Sequence, residues 1–212
     1  MKKKLVVPVV LCLAWTSFVL GEVQGAGESI AKAEVVVEGT VVDDTAITAT
    51  ESSLALFADG QFDPTLTGPI VDHMRATLLC EVVLLDGHQA DVSGSRENMI
   101  DAVSGLVGNH QGVVALAHLP EDATAHGTFV QAKRVALLNV RGLTGDGGQK
   151  QLLSRLKKEA VHAGGLLLGI APCPNSHCVM WRYKNDEGLD FKGSRFCPPC
   201  QRRVRALHGK GG

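Results

Sequence analysis

Aromatic side chains are scarce in these 212 residues, 4% of the total with one Tyr and two Trp, which leaves little for stacking bases or sugars. Neither charge is in excess: 21 basic residues face 22 acidic ones, so no overall field draws in nucleic acid or an anionic membrane. No apolar run reaches the roughly 20 residues of a membrane-spanning helix; the stretch 5–20 is shorter and is interrupted by Pro8, Thr16 and Ser17. Internal repeats and low-complexity tracts are missing. Gly145-Asp146-Gly147-Gly148 lacks both the Lys-Ser/Thr of a phosphate loop and the spacing of a dinucleotide fingerprint, and serves as a helix lead-in. What is present is globular material, 45% hydrophobic and 20% charged, enough for one core or two small ones.

The first residues are laid out as a secretory signal peptide. Met1-Lys2-Lys3-Lys4 is a basic head, 5–20 an apolar stretch, and Val23-Gln24-Gly25 precedes Ala26, which puts cleavage near Gly25. An extracytoplasmic chain, periplasmic or secreted, is expected, with no membrane span after cleavage; an uncleaved anchor is the competing reading. Cys12 lies mid-run behind Leu11, where lipid attachment requires a small residue. Losing 1–25 removes Lys2, Lys3, Lys4 and Glu22 and shifts the net charge from -1 to -3.

Residues 26–52 hold two β-branched runs around Gly39 and a Thr/Ala-rich stretch, a hairpin and spacer. From there strand and helix patterns alternate. Strands are expected at 54–58, 79–85 and 112–119, the second carrying Cys80 as a buried, unpaired thiol. Asp63-Pro64 opens a helix to about Ala76, with Asp as N-cap and Pro at the first helical position, and a second helix covers 94–107. That alternation implies parallel pairing through right-handed crossovers and a sheet covered on both faces. After a polar loop at 121–126 comes a short mixed strand, 128–131, of the kind found at sheet edges, then a strand at 134–140. A long helix over 148–168 carries Leu152, Leu153, Leu156, Ala160 and Ala163 at helical spacing and stops at Gly169. The fold class is α/β, a twisted, mostly parallel mixed sheet with an edge strand, packed by helices.

Four cysteines cluster late in the chain as Cys173-x4-Cys178 and Cys197-x2-Cys200. Two close pairs separated by a loop match a tetrahedral structural zinc site, and Pro172, Pro174, Pro198 and Pro199 supply the turns of metal knuckles. One or two disulfides remain the alternative, since the expected compartment is oxidising. The stretch 182–210 has eight basic residues against three acidic, including Arg202-Arg203-Val204-Arg205. With so few aromatics it is expected to be a solvated, charged tail, not a nucleic-acid site.

The segment from Lys157 through His162-Ala163-Gly164-Gly165-Leu166-Leu167-Leu168-Gly169-Ile170-Ala171-Pro172-Cys173 to Cys178-Val179-Met180, with Phe196-Cys197-Pro198-Pro199-Cys200, resembles the archaemetzincins. That family carries H-E-x-x-H-x-x-G-x-x-H-C-x4-C-x-M and a later C-x-x-C. The resemblance continues more weakly through Ser95-Arg96-Glu97-Asn98 and the strands ending in 134–143, and covers about 53–205, leaving 206–212 as a flexible tail. It implies a compact metzincin-like domain with a C-terminal zinc knuckle, one catalytic zinc held by three His and one structural zinc held by four Cys. Carried over, Cys173, Cys178, Cys197 and Cys200 form the structural site, and Met180 takes the place of the methionine beneath the catalytic metal. His162 stands at the first ligand position as a vestige, while the general-base Glu is Ala163 and the other two His are Leu166 and Pro172; the turn glycine, Gly169, remains.

One imidazole does not make the open three-ligand site that activates water, and Ala163 removes a proton acceptor typically worth about 10²–10⁴-fold. His162 is then expected to be hydrogen-bonded or semi-exposed. Glu159, three residues earlier, falls beside Lys157 and Lys158 on what reads as an ion-paired polar helix edge; His118, His126 and His177 are the other imidazoles in view. Three readings stay open: a monomeric, non-enzymatic zinc protein whose cleft near Phe129 takes an extended peptide or protein by strand addition; a zinc peptidase with substitute ligands; and a disulfide-stapled binding module.

Overall fold

Strand residues with both faces apolar can only lie inside a sheet covered on both sides, and the structure, a computed structural model, bears this out. It describes residues 36–38, 53–87, 90–92, 94–120 and 125–209, all within the unit 31–212. The signal-peptide stretch with Cys12, most of the expected hairpin, 121–124 of the polar loop and 210–212 lie outside the described residues. Six strands, β1 (Val36–Glu38), β2 (Ser53–Ala58), β3 (Glu81–Leu85), β4 (Val113–Ala117), β5 (Gly127–Val130) and β6 (Val135–Asn139), pair in the order β1-β5-β6-β4-β2-β3. All neighbours are parallel except β5 and β6, which are antiparallel.

Side-chain alternation divides the core into two layers. Leu54, Leu56, Val114, Leu116, Ala136 and Leu138 face the larger one. Ala55, Phe57, Val113, Ala115, Val135 and Leu137 face the other, closed by Met99, Ile100 and Val103 of α2 (Arg96–Ser104). The larger layer is built on α1 (Pro64–Leu78) and α4 (Gly148–Leu167). Asp63 caps α1 by accepting from the Thr65 amide at 2.9 Å, with Pro64 at its first position, as the sequence predicts. The two helices approach closely at Gly164, where a Cβ would sit 2.7 Å from Leu78 Cδ1 and 3.1 Å from Leu54 Cδ1. Short helices α3 (Val140–Leu143), α5 (Asp186–Phe191) and α6 (Pro198–Leu207) complete the chain. Among the described residues no helix is long and apolar enough to cross a membrane.

Four expectations need correction. β5 is not an edge strand: β1 pairs along its outer side, Val36 with Thr128, Val37 with Phe129 and Glu38 with Val130. The pairing joins residues some ninety positions apart, so no local pattern announces it. Cys80 lies outside the strand, in the bend after Leu79, which ends α1 with a φ of 59°. It is half-buried, and burial pushes its thiol up to about 11. The basic 182–210 stretch is not a solvated tail, since it folds into α5 and α6 and buries Leu189, Lys192 and Val204. Ala206 and Leu207, assigned to the tail, belong to α6.

Leu54 is fully buried where β2 meets Gly164. Leu54→Ala is expected to cost about 2–5 kcal/mol, the range for a large-to-small change in a packed core. Chemical denaturation checks this, and a loss under about 1 kcal/mol would show that this contact is not tightly packed.

Candidate metal centre

The metal centre is assembled where α4 ends. Gly169 takes a φ of 79°, its amide bonding Leu166 O at 3.0 Å, and turns the chain back on itself. The returning segment is stitched by Cys173 N to Met180 O at 2.9 Å, Cys178 N to Asn175 O at 2.9 Å and Val179 N to Arg195 O at 2.9 Å. Gly193 closes the loop so tightly that a Cβ would lie 1.9 Å from His177 O; only glycine fits. Cys197 is the N-cap of α6 and Cys200 lies in its first turn, where the positive helix end favours thiolate.

These turns place one sulfur from each of Cys173, Cys178, Cys197 and Cys200 within 4.8 Å of one another. The Cys173 and Cys197 sulfurs are 3.7 Å apart. Sulfurs bound at about 2.3 Å to a tetrahedral zinc are about 3.8 Å apart, whereas a disulfide needs about 2.05 Å. All five described cysteines are free thiols, and the donor set fits zinc in chemistry and spacing. The Cys197 amide donates to Cys178 Sγ at 3.4 Å, the outer contact that orients a thiolate ligand. Burial pushes the Cys178 and Cys200 thiols up, so metal capture there releases protons.

Beside the knot lies a narrow cleft between α4 and the β5–β6 pair. It is lined by Glu159, His162, Ala163 and Leu166 from the helix and by Thr128 and Phe129 among others from the strands, with room for about 10 Å³, on the order of one water. Residues 159, 162, 163 and 166 share a face because a helix repeats every 3.6 residues. His162 is buried, and its Nδ1 donates to Val179 O at 2.9 Å; the carbonyl can only accept, so Nδ1 carries the proton. Burial first, then the Lys192 ammonium, push His162 down to about 4, with Glu159 opposing. Met180 is fully buried under Gly165, where a Cβ would meet its Sδ at 2.7 Å. Pro172, at the third ligand position, is half-exposed in the turn.

The structure overturns the expected polar helix edge. Lys158 and Glu159 are buried, and Glu159 Oε1 accepts from Lys192 Nζ at 2.8 Å, the two side chains being 2% and 0% exposed. Lys192 also lies 5.0 Å from the centre of the Tyr183 ring. The Tyr183 hydroxyl meets His126 Nδ1 at 3.0 Å, and His126 Nε2 meets Asp186 Oδ1 at 3.2 Å. Asp186 accepts from Arg155 at 3.0 Å, which also grips Asp190 through two bonds of 2.7 and 2.8 Å. Burial alone would raise the Glu159 carboxyl, but the Lys192 charge, the nearby His162 and the hydrogen bonds the carboxylate accepts together outweigh it and hold the group low. Burial lowers His126, against Asp186 and Glu159.

Sequence reasoning missed this network because its second half comes from 183–192. A signal was available in Arg155, Lys158 and Glu159, charges one helical turn apart on α4 beside the apolar Leu156, Ala160 and Val161. His118 pairs instead with Asp59 at 3.0 Å, at the ends of β4 and β2, and His177 is exposed against Phe191. Among the described residues, the four thiols are the one group of three or more Cys, His, Asp or Glu placed to hold a metal ion.

Fold and site together define an α/β protein with a cysteine metal knot. No protein-family model matches the chain. An archaemetzincin of Aeropyrum pernix is 34% identical over 102 residues, 48% of this chain and 55% of that protein, so the chain matches about half of that relative's length. An archaemetzincin of Methanopyrus kandleri is 30% identical over 120 residues, 54% of this chain and 67% of the relative. The crystal structure of a zinc-dependent peptidase from Methanocorpusculum labreanum superposes with a TM-score of 0.59 at 19% identity, covering 71% of this chain and 99% of that one, a likeness of fold. The chain belongs to the archaemetzincin family.

Two outcomes follow from the buried charges. Lys192→Met leaves the Glu159 carboxylate buried and unpaired and is expected to cost about 3–5 kcal/mol. The double variant Lys192→Met/Glu159→Gln recovers most of it, as urea unfolding checks; no recovery would mean that Lys192 acts elsewhere. His162, held neutral in the fold, takes up a proton near pH 6.5 once unfolded. Its contribution is therefore complete above pH 6.5 and falls by roughly 3 kcal/mol as pH drops to about 4. Glu159, depressed in the fold, adds a further loss below the ordinary carboxylate range. Subtracting the unfolding curves of His162→Leu from those of the wild type across pH 4–7 isolates the imidazole's share; parallel curves would refute it.

Proposed function

We propose that this chain is an exported, non-hydrolytic archaemetzincin homologue that holds one structural zinc in its cysteine knot and keeps a narrow cleft for an extended peptide. The observation that carries this reading is the stripe of α4 facing the cleft, where His162 stands between Glu159, already paired with Lys192, and the apolar Ala163 and Leu166. A second divalent ion there would have one imidazole and a resident ammonium for company. Coulomb repulsion between ion and ammonium, both beside buried side chains, opposes it. No carboxylate stands at 163 to accept a proton from water, and the nearest one is neutralised by a lysine.

Zinc, when bound to Cys173, Cys178, Cys197 and Cys200, supplies a cross-link between the turn after α4 and the start of α6, and no open coordination position. The family and the thiol cluster both support zinc at this place. Export rests on the basic head and apolar stretch at the start of the sequence. A peptide or protein ligand fits the near-neutral charge better than nucleic acid does, with the chain acting as a monomer.

Metal analysis of the purified protein is expected to give one zinc per chain, lost in Cys178→Ser and Cys200→Ser. Peptide libraries are expected to stay uncut whether or not a chelator is present. Two tightly held zinc ions per chain, together with chelator-sensitive cleavage abolished by His162→Ala, would replace this reading with that of a peptidase using substitute ligands.

A further inference from the structure

The cleft's strand wall, β5, is already paired on its outer side by the chain itself. β1, Val36-Val37-Glu38 at the end of a valine-rich run, lies parallel to β5 with Val37 opposite Phe129. We infer that β1 is a tethered occupant of the very edge that an extended peptide would use, and that the cleft is opened by displacing it. The inference deepens the peptide-binding reading above and rests on it.

Three features of the pairing make displacement easy. The ladder has three residue pairs, whereas β4 and β6 share five. It is parallel, the slightly weaker arrangement per residue. The number of residues between β1 and β2 also allows it. β1 is parallel to β5, β5 antiparallel to β6, and β6, β4 and β2 mutually parallel, so β1 ends on the side of the sheet where β2 begins. The path across four strand spacings is roughly 19 Å, while residues 39–52 reach roughly 45 Å when extended. Letting go of the edge therefore strains nothing in the remaining sheet.

The occupant defines the partner: an extended, β-branched segment able to bond the free edge of 127–130. The test uses the full chain carrying Val36→Pro and Val37→Pro together. Successive amides of a strand point to opposite sides, so one of the two prolines must remove a ladder bond. Hydrogen exchange by NMR is read at those amides of 127–130 that do not pair with β6. Protection at least about tenfold greater in the wild type than in the variant, with zinc content unchanged, supports the inference. Equal exchange in the two proteins overturns it. So do unprotected edge amides in the wild type, a result that needs no variant to fold. A fluorescein-labelled peptide of residues 33–42 is then added to both proteins. Saturable binding to the variant, at least about tenfold tighter than to the wild type, identifies the edge as a displaceable peptide site. Released amides with no peptide uptake at all would sink the peptide-binding reading while leaving β1 as the edge's cover.

Discussion

A lysine ammonium and a glutamate carboxylate, 2.8 Å apart with almost no solvent at either, hold the C-terminal segment against the central helix. Neither charge tolerates that burial alone, so wherever Glu159 sits on α4, Lys192 must follow. Lys192 in turn stands next to Gly193, which passes so near the His177 carbonyl that no side chain fits. The path of 171–209 is thus set by the ion pairs that Glu159 and Arg155 of α4 make with it, one glycine and four sulfurs. The apolar residues this stretch buries include Val179, Met180, Leu189 and Val204. So small a core does not order nearly forty residues unaided, which is the ordinary reason for a metal staple in a small module.

The same pair defines the electrostatics of the cleft. His162 keeps the posture of a metal ligand, with Nδ1–H given to a backbone carbonyl, the outer bond that ordinarily orients a ligating imidazole. A lysine supplies positive charge where a cation would otherwise balance Glu159, and Ala163 and Leu166 fill the positions on either side. The posture has a structural use of its own, because the bond to Val179 ties α4 to the residue beside Cys178. An imidazole held in this way serves as a strut, and its neutral form is the one the burial permits.

What could be seen in the sequence was local. Asp63-Pro64 announced the start of α1, Gly169 the end of α4, and short continuous apolar runs the four parallel strands; each is a property of a few neighbouring residues. The cysteine spacing found all four sulfurs of the knot, because metal knuckles are themselves local turns. Long-range pairing stayed hidden. Glu159 beside Lys157 and Lys158 looks like a solvated ion-paired face until the partner 33 residues away is known. β5 looks like an edge because it is short and mixed, and nothing in residues 127–130 says that Val36–Glu38 lies alongside. Helices α5 and α6 carry so few apolar residues that periodicity gives no warning of them, and their order comes from what they are stapled to.

Both misjudged regions flank the same cleft, and this has a common cause. Ordinary core residues are recognisable because each contributes burial energy independently, so their pattern survives reading one residue at a time. The walls of this cleft are held by pairwise terms, a charge with its counter-charge and a strand edge with another strand, which have no signature until both members are placed. The two terms differ in strength. Separating Lys192 from Glu159 leaves buried charge uncompensated, whereas separating β1 from β5 leaves amides that water satisfies. One wall of the cleft is therefore fixed and the other is free to exchange partners. A site built in that way has its floor and chemistry determined by α4 and its occupancy determined at the sheet edge.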